Sequence, residues 1–253
     1  MVRRRISPSS RLKPVLAVGG IDPSGHAGLF ADARVFDRLG LSWKVATTAI
    51  TTQSETQFHS WQAVPLSIFR AQLMAAGTKI LGVKIGMLAT PRHLAVLLDW
   101  LKKTKPRWIV WDPVLRASTG PALFRGSTRD PKFQALLSLC DVFTPNLPEA
   151  EAILDRPIRG LAEAKIAVRD LVPRGKQGTV VLKGGHAEDR KFATDLVFNG
   201  HQIRSLRARR RQGKRRGTGC TFAAALTAGL CRGQDPVAAA KFAKHYVLKM
   251  WDN

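Results

Sequence analysis

Val15-Leu16-Ala17-Val18, running through Gly19-Gly20-Ile21-Asp22-Pro23-Ser24-Gly25-His26-Ala27-Gly28 into the helix-period stretch 29–39, decides the fold. Four apolar residues closed off by glycines read as a short buried strand, and the turn residues after them hand the chain to a helix. Working outward, the same alternation repeats. Strands are predicted at 44–50, 83–87, Trp108–Trp111, 142–144 and Thr179–Leu182, and helical spacing falls at 67–76, 91–102, 132–139, 148–155 and 161–171. Strands that alternate with helices form a mostly parallel sheet covered on both faces, so the expectation is one three-layer α/β/α sandwich. Asn199-Gly200, between 192–198 and 201–206, signals a hairpin.

Length and composition agree with a single domain spanning 14–253, preceded by a basic, flexible tail at 1–13. No apolar run approaches the roughly 18 residues of a membrane helix. The start lacks the apolar segment of a secretory signal. Three cysteines, Cys140, Cys220 and Cys231, are an odd number without metal-ligand spacing, which points to a reducing compartment and a cytoplasmic protein. Charge is the unusual bulk property, with 41 Lys and Arg against 18 Asp and Glu, a formal +23. Its densest part, 204–216, carries eight basic residues and no acid. Three readings stand for that run: steering of anionic substrates, a nucleic-acid patch, or a solvated loop. It lacks the interleaved aromatics that stack bases.

Chemistry concentrates where ligands collect in such sheets, beyond the carboxyl ends of the strands. Asp112, Asn146 and Lys183 each follow a predicted strand. Lys183 suits a point charge on phosphates, and Asp112 a carboxylate near a metal. Arg216-Gly217-Thr218-Gly219-Cys220-Thr221 is a glycine turn before an alanine-rich helix. Small residues and the first free N–H groups of a helix make an anion hole from Gly217, Thr218 and Gly219. The helix end is expected to lower the pKa of the Cys220 thiol.

GIDPSGHAGLFAD, TAITTQ (48–53), VKIGMLAT (83–90), DPVLRASTG (112–120), TPNLPEAEAIL (144–154), VLKGGH (181–186) and GTGCT (217–221) together resemble the bacterial hydroxymethylpyrimidine/phosphomethylpyrimidine kinases of the ribokinase-like superfamily. The resemblance spans about 15–246. It implies ATP- and Mg²⁺-dependent phosphorylation of 4-amino-5-hydroxymethyl-2-methylpyrimidine and of its monophosphate, in thiamine biosynthesis, by a homodimer. Asn146-Leu147-Pro148-Glu149 resembles the element in which the glutamate helps hold Mg²⁺, with Asp112 as a second carboxylate. The resemblance further implies that Asp22, Gln53 and Met87 line the acceptor pocket and that Cys220 accepts the proton of the substrate hydroxyl. Gln53 offers a donor and an acceptor to an aminopyrimidine edge, and Met87 a polarizable cover. Three positions depart from the pattern: His26 for a glycine, Arg216 for a histidine, and Ser54-Glu55 after Gln53. Two alternatives remain: a pyridoxal or pyridoxine kinase of the same superfamily, or a non-catalytic basic paralogue that binds nucleic acid.

Overall fold

The computed structural model describes residues 13–117, 120–172, 178–186, 191–211, 213 and 215–250. All of the tail at 1–13 except Lys13 lies outside the described residues. The strands are β1 (Val15–Ile21), β2 (Trp43–Gln53), β3 (Phe58–Ala63), β4 (Gly82–Ile85), β5 (Trp108–Trp111), β6 (Val142–Phe143), β7 (Thr179–Leu182), β8 (Phe192–Phe198) and β9 (Ile203–Arg209). They form one sheet in the order β3-β2-β1-β4-β5-β6-β7-β8-β9. From β2 across to β7 every pairing is parallel, while β3, β8 and β9 pair antiparallel at the two ends.

Apolar runs without alternation become strands here because both faces are covered. Leu16 and Val18 of β1 enter a core with Phe69, Leu73 and Leu97, and Val15 and Ala17 enter a second core with Phe36, Ala224 and Leu226. The first core is roofed by α2 (Leu66–Ala76), α3 (Pro91–Thr104), α4 (Pro131–Leu139), α5 (Leu147–Leu154) and α6 (Gly160–Asp170). Across the sheet lie α1 (Gly28–Arg38), α7 (Thr218–Cys231) and α8 (Pro236–Lys249). Residues 221–230 of α7 are all buried, because this helix is enclosed by the sheet, α1 and α8. Several helices begin where a side chain caps them ahead of a proline: Thr90 before α3, Asp130 before α4 and Asp235 before α8.

The three-layer expectation holds, with differences in detail. β3 and α8 were not anticipated. β2 extends to Gln53, and β4 stops at Ile85, which leaves Met87 in the loop beyond it. The 192–198 hairpin forms, with Asn199 Oδ1 accepting from His201 N (3.2 Å) and Gln202 N (3.0 Å). Of the run read as a solvated loop, residues up to Arg209 instead form edge strand β9, on which Arg204, Arg207 and Arg209 are exposed and their positive charge discourages pairing with another chain. Lys214 is outside the described residues. Among the described residues no helix is long and apolar enough to cross a membrane.

Candidate active site

Parallel β5, β6 and β7 end side by side, so the residues that follow them converge. Lys183 Nζ stands 2.5 Å from Asp112 Oδ1, and Thr144 Oγ1 donates to the same oxygen at 3.5 Å. The backbone continues the register for one more step, with Lys183 N donating to Pro145 O (2.9 Å) and a bridge joining Asn146 to Lys183. Beyond Lys183 the chain makes a single 3₁₀ turn, Gly184–His186. Asp195 Oδ1 accepts from Gly184 N (2.8 Å), Lys244 of α8 holds Asp195 from behind (2.8 Å), and Arg210 Nη1 donates to Gly185 O (2.7 Å). Arg210 therefore braces the lysine turn.

Asn146 and Glu149 form a capping box at the start of α5: Asn146 Oδ1 accepts from Glu149 N (2.9 Å), and Glu149 Oε2 accepts from Asn146 N (2.8 Å). Glu149 Oε1 also accepts from Leu115 N at 3.3 Å. Burial raises the Glu149 carboxyl above its ordinary pKa; Lys183 opposes this and Asp112 adds to it. For Lys183, burial alone would lower the ammonium, but Asp112 and Glu149 outweigh it and hold the pKa above its ordinary value. The lysine stays charged. Among the described residues no cluster of three or more His, Cys, Asp or Glu could hold a metal by protein ligands alone. Mg²⁺ asks for less, since it keeps waters and takes one or two carboxylates besides phosphate oxygens. Asp112 and Glu149, buried and electrostatically coupled, fit that demand.

The glycine turn lies against this pair. Gly217 is the N-cap of α7, with φ +76° and no side-chain cap. A Cβ on it would lie 1.8 Å from His26 O, so the turn packs directly on the first loop. A Cβ on Gly219 would stand 3.4 Å from Lys183 Nζ and 3.6 Å from Asp112 Oδ2. The first turn of α7 thus lies beside the Asp112–Lys183 pair, and a helix start carries the free N–H groups that suit a phosphate. Cys220 is half-buried in that first turn, with the Gly28 N–H directed at its sulfur. Here the structure corrects the sequence. Burial pushes the thiol up to about 11, Asp32 and Asp112 add to it, and Lys84 opposes it only in part. At neutral pH the resting thiol keeps its proton.

Sequence reading missed a charged pair coupled to the thiol. Lys84 of β4 and Asp32 of α1 meet at 2.9 Å, each side chain 1% exposed. Burial works against the Lys84 ammonium, but Asp32, Cys220 and Asp112 more than offset it, so it remains cationic.

On the acceptor side, Asp22 follows β1 and folds the first loop, accepting from Ser24 N (3.0 Å), Ser24 Oγ (2.7 Å) and Ala27 N (3.1 Å). Gln53 ends β2 and donates through Nε2 to Thr51 Oγ1 (2.8 Å). Arg216 joins the two, donating to Gln53 Oε1 and to Ser54 O and lying 3.3 Å from Asp22 Oδ2. Met87 is 5% exposed and belongs to a small apolar cluster with Ala49, Ala89 and Leu123. Its sulfur sits 3.0 Å from the position a Cβ on Gly20 would take.

A three-layer fold whose sheet brings a lysine–carboxylate pair to a glycine-rich helix start has the layout of the ribokinase-like phosphotransferases. A family model described as phosphomethylpyrimidine kinase matches residues 22–253. The chain is 32% identical over 241 residues to the hydroxymethylpyrimidine/phosphomethylpyrimidine kinase of Aquifex aeolicus (strain VF5), covering 94% of each. Among solved structures it is similar to the pyridoxal kinase from Staphylococcus aureus in complex with pyridoxal (TM-score 0.86, 31% identity, 96% of this chain and 89% of that one). It is also similar to the phosphomethylpyrimidine kinase from Clostridium difficile 630 (TM-score 0.78, 27% identity, 94% and 99%). The chain belongs to the phosphomethylpyrimidine kinase family, whose members are ATP- and Mg²⁺-dependent kinases of the ribokinase-like superfamily related to the pyridoxal kinases. Kinase membership and the assembled Asp112–Lys183 pair set aside the non-catalytic alternative.

Proposed function

We propose that this kinase phosphorylates a hydroxymethyl group on a flat nitrogen heterocycle, with 4-amino-5-hydroxymethyl-2-methylpyrimidine and its monophosphate as acceptors, in thiamine biosynthesis. The supporting observation is the placement of Gln53 and Asp22 beside the start of α7, to which Arg216 ties them. An amide and a carboxylate there match the donor and acceptor groups of an aminopyrimidine edge.

Phosphoryl transfer asks mainly for positioning and charge neutralisation. Lys183 neutralises charge on the moving phosphoryl group, and the N–H groups of Gly217, Thr218, Gly219 and Cys220 stabilise it. Asp112 and Glu149 would hold Mg²⁺, with Asn146 fixing the Glu149 carboxylate through the capping box, and the metal would neutralise charge on the phosphates of ATP. In the small fraction of molecules whose thiol is ionised, Cys220 takes up the proton of the acceptor hydroxyl.

Pyridoxal is the second reading, favoured by the likeness to the Staphylococcus aureus pyridoxal kinase. A coupled assay over hydroxymethylpyrimidine, its monophosphate, pyridoxal and pyridoxine decides between them. The pyrimidines are expected to give the higher kcat/KM. A higher value for pyridoxal establishes the second reading, and no turnover of any of the four overturns both.

A further inference from the structure

Arg216 occupies the groups that the acceptor needs. Its guanidinium donates to Gln53 Oε1 and to Ser54 O, and it stands 3.3 Å from Asp22 Oδ2. Those partners lie 162 to 194 residues away in sequence, and the side chain is only 21% exposed. With Gln53 Nε2 on Thr51 and both Asp22 oxygens engaged by Ser24, Ala27 and Arg216, every polar atom of these two side chains has a protein partner.

A neutral heterocycle that takes the side of Gln53 Oε1 and Asp22 Oδ2 now facing the guanidinium competes with it and leaves its charge with fewer partners in a half-buried place. That exchange is unfavourable, because losing a charge-assisted hydrogen bond without replacement costs more than losing a neutral one. An acceptor that already carries a phosphate changes the balance, since its oxygens match the planar fork of donors bidentately. The cradle at Gly217, the next residue, supplies further N–H groups.

We propose that Arg216 is the specificity-determining residue of the acceptor site: it holds the site closed on Gln53 and Asp22 and yields it preferentially to a phosphorylated acceptor, whose phosphate becomes its new partner. The proposal rests on the reading of Gln53 and Asp22 as the acceptor side. It makes the second phosphorylation, not the first, the favoured reaction of this chain.

The test compares wild type with Arg216→Gln and Arg216→Lys, measuring KM and kcat separately for hydroxymethylpyrimidine and its monophosphate. Calorimetric titration of the monophosphate without nucleotide gives a second readout. Wild type is expected to favour the monophosphate at least about tenfold in kcat/KM. In Arg216→Gln the monophosphate KM and Kd are expected to rise about tenfold, the KM of the neutral acceptor to stay level or fall, and kcat to change by less than the monophosphate KM; Arg216→Lys, which keeps the charge without the fork, should fall between. If Arg216→Gln does not fold, as judged by its melting transition, the same split in Arg216→Lys carries the test. Equal shifts in KM for both acceptors, or none, overturn the proposal and leave the pyrimidine reading standing. Turnover of pyridoxal alone by wild type overturns that reading and the proposal with it.

Discussion

A thiol held near pKa 11 contributes differently from a poised thiolate. The conjugate base of so weak an acid is scarce at neutral pH but strongly basic, which suits it to accept a proton late in a loose transition state. Activity that depends on the ionised form rises with pH as long as pH lies below the pKa. The kcat of wild type is therefore expected to climb between pH 7 and 9, and Cys220→Ala to show a lower, flat profile, each tenfold of loss representing about 1.4 kcal/mol. A flat wild-type profile would remove the thiolate from the chemistry. Lys84 and Asp32 matter to the same neighbourhood through burial. Asp32 Oδ1 already has no hydrogen-bond partner, so removing the ammonium strands the whole carboxylate. Lys84→Met is expected to cost about 3–5 kcal/mol by urea denaturation, and Lys84→Met with Asp32→Leu to recover most of it. Asp112, Asn146 and Lys183 were legible in sequence because each follows a strand end. The Lys84–Asp32 pair and the partners of Arg216 were not, since no local pattern marks contacts across 52 or 194 residues.

The junction between the first loop and α7 is the element on which both halves of the site depend. Gly217 needs a positive φ and also leaves no room for a Cβ beside His26 O. Gly40 has a similar φ of +64° but nothing within 4 Å of the added carbon. The backbone strain of Gly40→Ala should amount to about 1–2 kcal/mol, and Gly217→Ala should lose clearly more stability as well as nucleotide binding, both read by thermal melts with and without an ATP analogue. Equal melting losses in the two variants would mean that the loop and the turn do not support each other. Element recognition from sequence succeeded where burial is two-sided, as in β1, β5 and β7. It failed at β3, a short edge strand whose alternation is broken by the exposed His59-Ser60 pair and which is anchored by Trp61 Nε1 donating to Ala122 O at 2.9 Å. It failed also at α8, where basic residues dilute the apolar face that packs on α7.

At the scale of the whole molecule, a net +23 draws anions toward the site irrespective of which arginine touches them. Such attraction fades as the Debye length shrinks to about 10 Å at 0.1 M salt and below it at higher salt. The KM for the pyrimidine monophosphate is expected to rise with ionic strength, while that for the neutral pyrimidine stays nearly constant; parallel curves would show that the field does no steering. The enclosure of α7 has a further consequence, for the order in which the chain is made. The sheet from β1 to β7 emerges during synthesis before residues 221–230, yet one of its faces, with Val15, Ala17, Val110, Val142 and Val181, has α7 as its cover. At roughly 5–20 residues per second that face stays bare for several seconds. Nascent chains arrested after residue 216 are expected to be captured by chaperones and cut readily by protease, whereas chains arrested with α7 and α8 clear of the ribosome should resist both.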